Sequence, residues 1–207
     1  MRNLARTVSL LAALASPCAV ALDTDAPGDD RPQAVAFVDA PSYAEALARW
    51  RSAEDVNAWI GARFQYDTER AVRLSQTQRE AYGRMPIHPP ADFFAAPKGV
   101  CVDLSRFAVE TLASIAPGLH ARYVMIEFDP VTIRGNALRR HWVASFERDG
   151  KLFFFADSRR PGHIAGPYDT TKAFIDDYAR YRARTIVAFA ERSSYERIAR
   201  TAAARRH

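Results

Sequence analysis

The sequence predicts an α+β fold in which N-terminal helices and a helix opening at Cys101 pack on an antiparallel sheet. Three observations point to it. Apolar residues recur at three- and four-residue spacing over 42–51 and 53–64. A third helical stripe begins at Cys101. Between Trp142 and Ala156, two short apolar runs flank Arg148-Asp149-Gly150, a hairpin signal.

Residues 1–21 are set aside first. Arg2 and Arg6 precede an apolar run from Val8 to Ala15, and Ala19-Val20-Ala21 follows as a small-x-small cleavage site. The run is short of the ~20 residues that a membrane span needs. A lipoprotein signal on Cys18 is disfavoured because Pro17 stands where such signals carry a small residue. The expected product starts at Leu22, lies in the periplasm or is secreted, and has no stable membrane insertion after cleavage. Residues 22–41, rich in Asp, Pro, Gly and Ala, read as an extended arm. Residues 42–207 are of a length that suits a single domain with its own core.

Within that domain, Ser52 is the expected N-cap of the second helix. Pro86, Pro89, Pro90 and Pro97 exclude a continuous helix over 83–99 and predict an irregular loop leading into Cys101. Cys101, Leu104, Ala108, Leu112 and Ile115 share one helical stripe of about four turns, which stops at Pro117-Gly118. Arg122–Phe128 reads as a strand, Trp142–Phe146 and Leu152–Ala156 as a hairpin, and Thr170–Arg182 and Ser194–Ala203 as helices. Ile186–Ala190 fits strand or helix.

The formal net charge of +5 falls to +3 once Arg2 and Arg6 leave with the signal. That balance argues against nucleic acid as a partner. Cysteine usage says more. Cys18 departs with the signal, so Cys101 remains alone in a compartment where paired cysteines become disulfides and a lone thiol is open to oxidation. Its place in the first turn of a helix favours the thiolate through unpaired N–H groups and the positive end of the dipole. The apolar stripe turns it toward the sheet, which suits a buried thiol and a cleft nucleophile alike.

His141 opens the first hairpin strand and Asp157 closes the second. A three-residue loop of Arg148, Asp149 and Gly150 sets Glu147 against Lys151 and, counting outward, His141 against Asp157. A two-residue loop shifts the register by one and puts the two on opposite faces. With the first register, the carboxylate fixes the imidazole tautomer and stabilises the imidazolium that thiol activation requires. His88, His120 and His163 sit in turn-like contexts that favour solvated loop residues. No His-x-x-x-His spacing occurs, and neither a metal nor another cofactor is expected.

Three pieces together resemble the transglutaminase-like superfamily, a branch of the papain-like cysteine enzymes. They are Gly99-Val100-Cys101-Val102-Asp103-Leu104-Ser105 opening a helix, His141-Trp142-Val143 opening a strand, and Asp157-Ser158 closing the next. The order and gaps look like those of its compact bacterial members, the transglutaminase-like cysteine proteinases, and the resemblance spans about residues 60–160. The resemblance implies a thioester on Cys101, proton transfer by His141, orientation of that ring by Asp157, and acyl transfer from an amide of a protein or peptide substrate. The acceptor would be water or an amine. A catalytically silent domain of the same fold that binds a peptide or cell-envelope partner is the alternative. Trp142 and Tyr123 are candidate second oxyanion donors, each with a core role as the competing reading. Asp103 occupies a family position and also suits the first turn of a helix. Segments 84–98 and 158–167 are expected to border the cleft.

Overall fold

The computed structural model describes residues 37–77, 85–133, 136–156 and 163–196. The expected export signal, most of the arm and Asp157 lie outside the described residues. Two capped helices come first: α1 (Tyr43–Arg49), whose N-cap Ser42 accepts from the Glu45 N–H, and α2 (Ala53–Arg63). At α2, Ser52 and Asp55 cap one another's backbone N–H groups, a reciprocal arrangement that satisfies two otherwise unpaired donors. Strand β1 (Gln65–Tyr66) and helix α3 (Thr68–Thr77) follow, the latter unmarked in the sequence reading. The proline-rich stretch is interrupted by α4 (Pro90–Ala95), which places Pro90 at the first helical position, where a missing N–H costs nothing.

Strand β2 (Lys98–Gly99) then pairs in parallel with β1, clamping the chain just before Cys101 to the end of α2. Helix α5 runs Cys101–Ile115 as the periodicity predicted. The rest of the chain builds one antiparallel sheet from β3 (Arg122–Ile133), β4 (Asn136–Arg148), β5 (Lys151–Phe155), β6 (Ala165–Tyr168) and β7 (Ile186–Arg192), with α6 (Thr171–Arg182) between the last two. The spatial order is β6-β5-β4-β3-β7. Strand β6 falls in what the sequence presents as a loop. Ser194–Glu196, where another helix was expected to begin, is not helical, and residues 197–203 lie outside the described residues.

Strand alternation divides the core in two. Tyr123, Met125, Trp142, Ala144, Phe146 and Phe155 face α5 and the N-terminal helices. Val124, Ile126, Phe128, Val143 and Phe154 face α6, where Phe174 stacks on Phe154 at 3.8 Å. The architecture is thus mixed helix and sheet in three layers, with α5 and α6 on opposite sides.

The hairpin register corrects the expectation. The turn has two residues, Asp149 (φ 52°) and Gly150 (φ 69°), both left-handed, and Arg148 pairs with Lys151. Asp-Gly is the favoured pair for such a turn, whose twist matches the flanking strands. It sets Glu147 against Leu152 and Ala144 against Phe155, one residue away from the three-residue alternative. The register also leaves two cations facing each other. Each finds its own carboxylate: Arg148 bonds Glu54 at 2.7 Å and lies over the Phe146 and Phe153 rings, and Lys151 bonds Asp169.

Candidate functional site around Cys101

The start of α5 is built by one carboxylate. Asp103 is fully buried and accepts two bonds from Arg70, Nε to Oδ2 at 2.7 Å and Nη2 to Oδ1 at 2.8 Å. It also accepts from the Val100 N–H (3.0 Å) and the His88 N–H (2.9 Å). Two charged and two neutral donors satisfy it, so the burial cost of the anion is offset by its partners. Arg70 and Arg106 extend the network by donating to the Pro86 and Ile87 carbonyls. Residues 86–88 of the proline-rich segment therefore adjoin the first turns of α5, the place expected for segment 84–98.

Gly99 completes this geometry. A Cβ there would lie 2.9 Å from the Asp103 Cβ and 3.0 Å from both Asp103 Oδ2 and Phe93 Cε2. The Gly-x-Cys-x-Asp pattern thus has a local physical cause: glycine admits the carboxylate, and the carboxylate ties the helix start to α3 and to the 86–88 chain. Cys101 is the first residue of the helix. Its thiol is half-buried, is in no disulfide, and packs against the α5-side core.

His141 lies elsewhere. Its strand position pairs with Ile126, and its ring stacks on Tyr178 of α6 at 5.8 Å and 13°, with Phe128 at 6.4 Å. The side chain is 1% exposed. Burial, then the charges of Arg182 and Arg184, hold its pKa well below the ordinary imidazole value. Cys101 and His141 thus occupy opposite faces of the sheet, and the structure does not bring them together. Strand alternation is the reason: Trp142, Ala144 and Phe146 face α5, which leaves His141 and Val143 on the α6 side. Ala156 has a left-handed backbone (φ 56°) just after β5, directly before Asp157.

The other expected participants separate clearly. Tyr123 donates its hydroxyl to Glu110 at 3.3 Å, well down α5 from Cys101, and burial followed by the Glu110 charge raises its pKa. Trp142 is on the α5 face and meets the Tyr123 ring edge-on. His120 takes a left-handed conformation after the turn at Pro117 and is exposed. His163 is half-buried beside Ile164, which packs against the same core as Cys101. Sequence reasoning missed Arg70, whose partner is 33 positions away, and the attachment of His88 to the helix start. Among the described residues, no group of three or more His, Cys, Asp or Glu side chains is placed to hold a metal ion. No helix among them is long and apolar enough to cross a membrane.

No family model matches the chain, and no curated protein matches it. Among solved structures it is similar to Legionella pneumophila LapG (calcium-bound), at 16% identity over 70% of this chain and 70% of that one, with a TM-score of 0.39. A likeness this loose shows neither a shared fold nor a shared activity.

Proposed function

We propose that Cys101 is the nucleophile of a cysteine-dependent acyl transfer at an amide bond of a protein or peptide, a peptidase or amidase reaction. The observation that carries this reading is the half-buried thiol at the first residue of a 15-residue helix, where the helix-start N–H groups and the dipole favour the thiolate. The thiolate attacks the amide carbonyl, the amine leaves with a proton, and the thioester passes its acyl group to water or to a second amine. In the triad form of this reading, Asp157 orients His141 and His141 moves the proton, which requires the ring on the α5 face. With the ring stacked on Tyr178, the catalytic reading calls for another base, and its candidates are His88, whose backbone N–H bonds Asp103 at the helix start, and His163, which adjoins Ile164 of the core that Cys101 joins.

The packing of His141 favours a second reading, a catalytically silent domain that binds a peptide or cell-envelope partner. One experiment separates them. Alkylation of Cys101 by iodoacetamide is followed against pH in the wild type and in His141→Leu, and peptide amides are then incubated with each and analysed by mass spectrometry with and without a primary amine. The catalytic reading expects fast alkylation with a midpoint below that of an ordinary thiol, and cleaved, deamidated or cross-linked amides that vanish in Cys101→Ser. Alkylation that waits for denaturation, with no amide product, overturns it in favour of the silent domain. The described position of His141 expects His141→Leu to alkylate within about twofold of the wild type; a tenfold or larger loss restores the triad form. Export belongs to the same reading, and N-terminal sequencing of the mature protein is expected to begin at Leu22.

A further inference from the structure

Ser105 lies one helical turn after Cys101 on the same stripe of α5, and it is fully buried. Among the described residues, its Oγ has no hydrogen-bond partner. That is unusual for a helical serine, whose ordinary recourse is the carbonyl four residues back. Ser114 in the same helix takes it, donating to the Glu110 carbonyl at 2.8 Å. For Ser105 the equivalent acceptor would be the carbonyl of Cys101, and no such bond is made. A buried hydroxyl left without a partner carries a desolvation penalty, and natural cores keep very few of them.

The geometry points to the sulfur. Side chains four residues apart on a helix have Cβ atoms about 5–6 Å apart, and helical side chains lean toward the N-terminus, so a rotation about the Cα–Cβ bond of Ser105 turns its hydroxyl toward Cys101. A neutral thiol is a weak acceptor and gives that rotation little reward. A thiolate is a full charge, and bonds to ionised acceptors are roughly twice as strong as neutral ones. We propose that Ser105 is a positioning residue for Cys101, its buried O–H donating to the sulfur once the thiol has lost its proton. No group is transferred: the serine keeps its hydrogen, and the thiol proton leaves to the base or to solvent. This rests on the reading of Cys101 as a reactive thiol, and it adds a side-chain donor to the helix-start N–H groups. It also explains why a polar residue occupies an apolar stripe.

The test compares the pH profile of iodoacetamide alkylation in the wild type, Ser105→Ala and Ser105→Thr, with thermal melting of each. Removing an orphan hydroxyl leaves the melting temperature unchanged or higher, so Ser105→Ala is expected to fold. Its alkylation midpoint is expected to move to higher pH by about one unit, lowering the rate near neutrality about tenfold. Ser105→Thr, which keeps the hydroxyl, restores the wild-type profile. A wild type with a low midpoint and a folded Ser105→Ala with the same profile overturns the proposal and leaves the reading of Cys101 standing. A wild type that alkylates only on denaturation overturns both.

Discussion

The two faces of the sheet bury ionisable groups by opposite means. On the α5 side, Asp103 stays in its ion pair with Arg70 and accepts four hydrogen bonds in all. On the α6 side, His141 is enclosed by aromatic rings, with Tyr178 and Phe128 against it and the Arg182 and Arg184 charges beyond, and it is held neutral. The first arrangement organises a helix start and two chain segments. The second fills a core. A titratable residue at a position that reads as functional is thus a packing element on one face, while an acid that reads as an ordinary first-turn residue is the structural centre of the other.

Breaking the α5-side network should give the larger effect. Asp103→Ala leaves Arg70 buried without its carboxylate and frees the Val100 and His88 N–H groups, so a loss of about 3–5 kcal/mol is expected in chemical denaturation. The pair Arg70→Met with Asp103→Leu, which leaves no unpaired charge, should cost clearly less than Asp103→Ala. A double variant as unstable as the single one would show that Asp103 acts through capping and chain attachment rather than through its charge partner.

The α6 side makes a gentler prediction, read as a slope. The unfolded chain protonates His141 below its ordinary pKa of ~6.5, while the folded protein resists protonation to a lower pH. The contribution of the neutral ring is therefore complete above ~6.5 and is lost as pH falls below it, by at most about 1.4 kcal/mol per pH unit for one proton. His141→Leu removes that contribution. Unfolding free energies measured between neutral and mildly acidic pH should show a flatter dependence in the variant, and an unchanged slope would place the titration elsewhere.

Much of this framework was legible in the sequence, for local reasons. Helices α2 and α5 were read from Ser52, from the stripe after Cys101 and from the stop at Pro117-Gly118, and α1 and α6 from their periodicity. All of these signals act within a few residues. Strand β6 carried no comparable pattern, whereas α3 is amphipathic and went unmarked. The hairpin was recognised but its register was not, because Asp149 and Gly150 suit two turn lengths and the choice belongs to the packing of Trp142, Ala144 and Phe146 against α5. That single residue of offset decides which β5 residues share a face with His141, while alternation along β4 puts its ring in the α6-side core. The Arg70–Asp103 pair was invisible for a different reason: nothing in a chain of alternating helices announces which distant arginine will be enclosed with a given acid.

The margins of the sheet are unequal as templates for another chain. At one margin, β6 carries Pro167, which has no N–H to offer a neighbouring strand. At the other, β7 presents Val187 at 56% and Phe189 at 39% exposure, on a strand whose sequence Ile-Val-Ala-Phe-Ala is free of charge until Glu191. Self-association through strand addition would therefore start at β7, and the charged end of that strand, Glu191 and Arg192, is the part of the described edge that works against it.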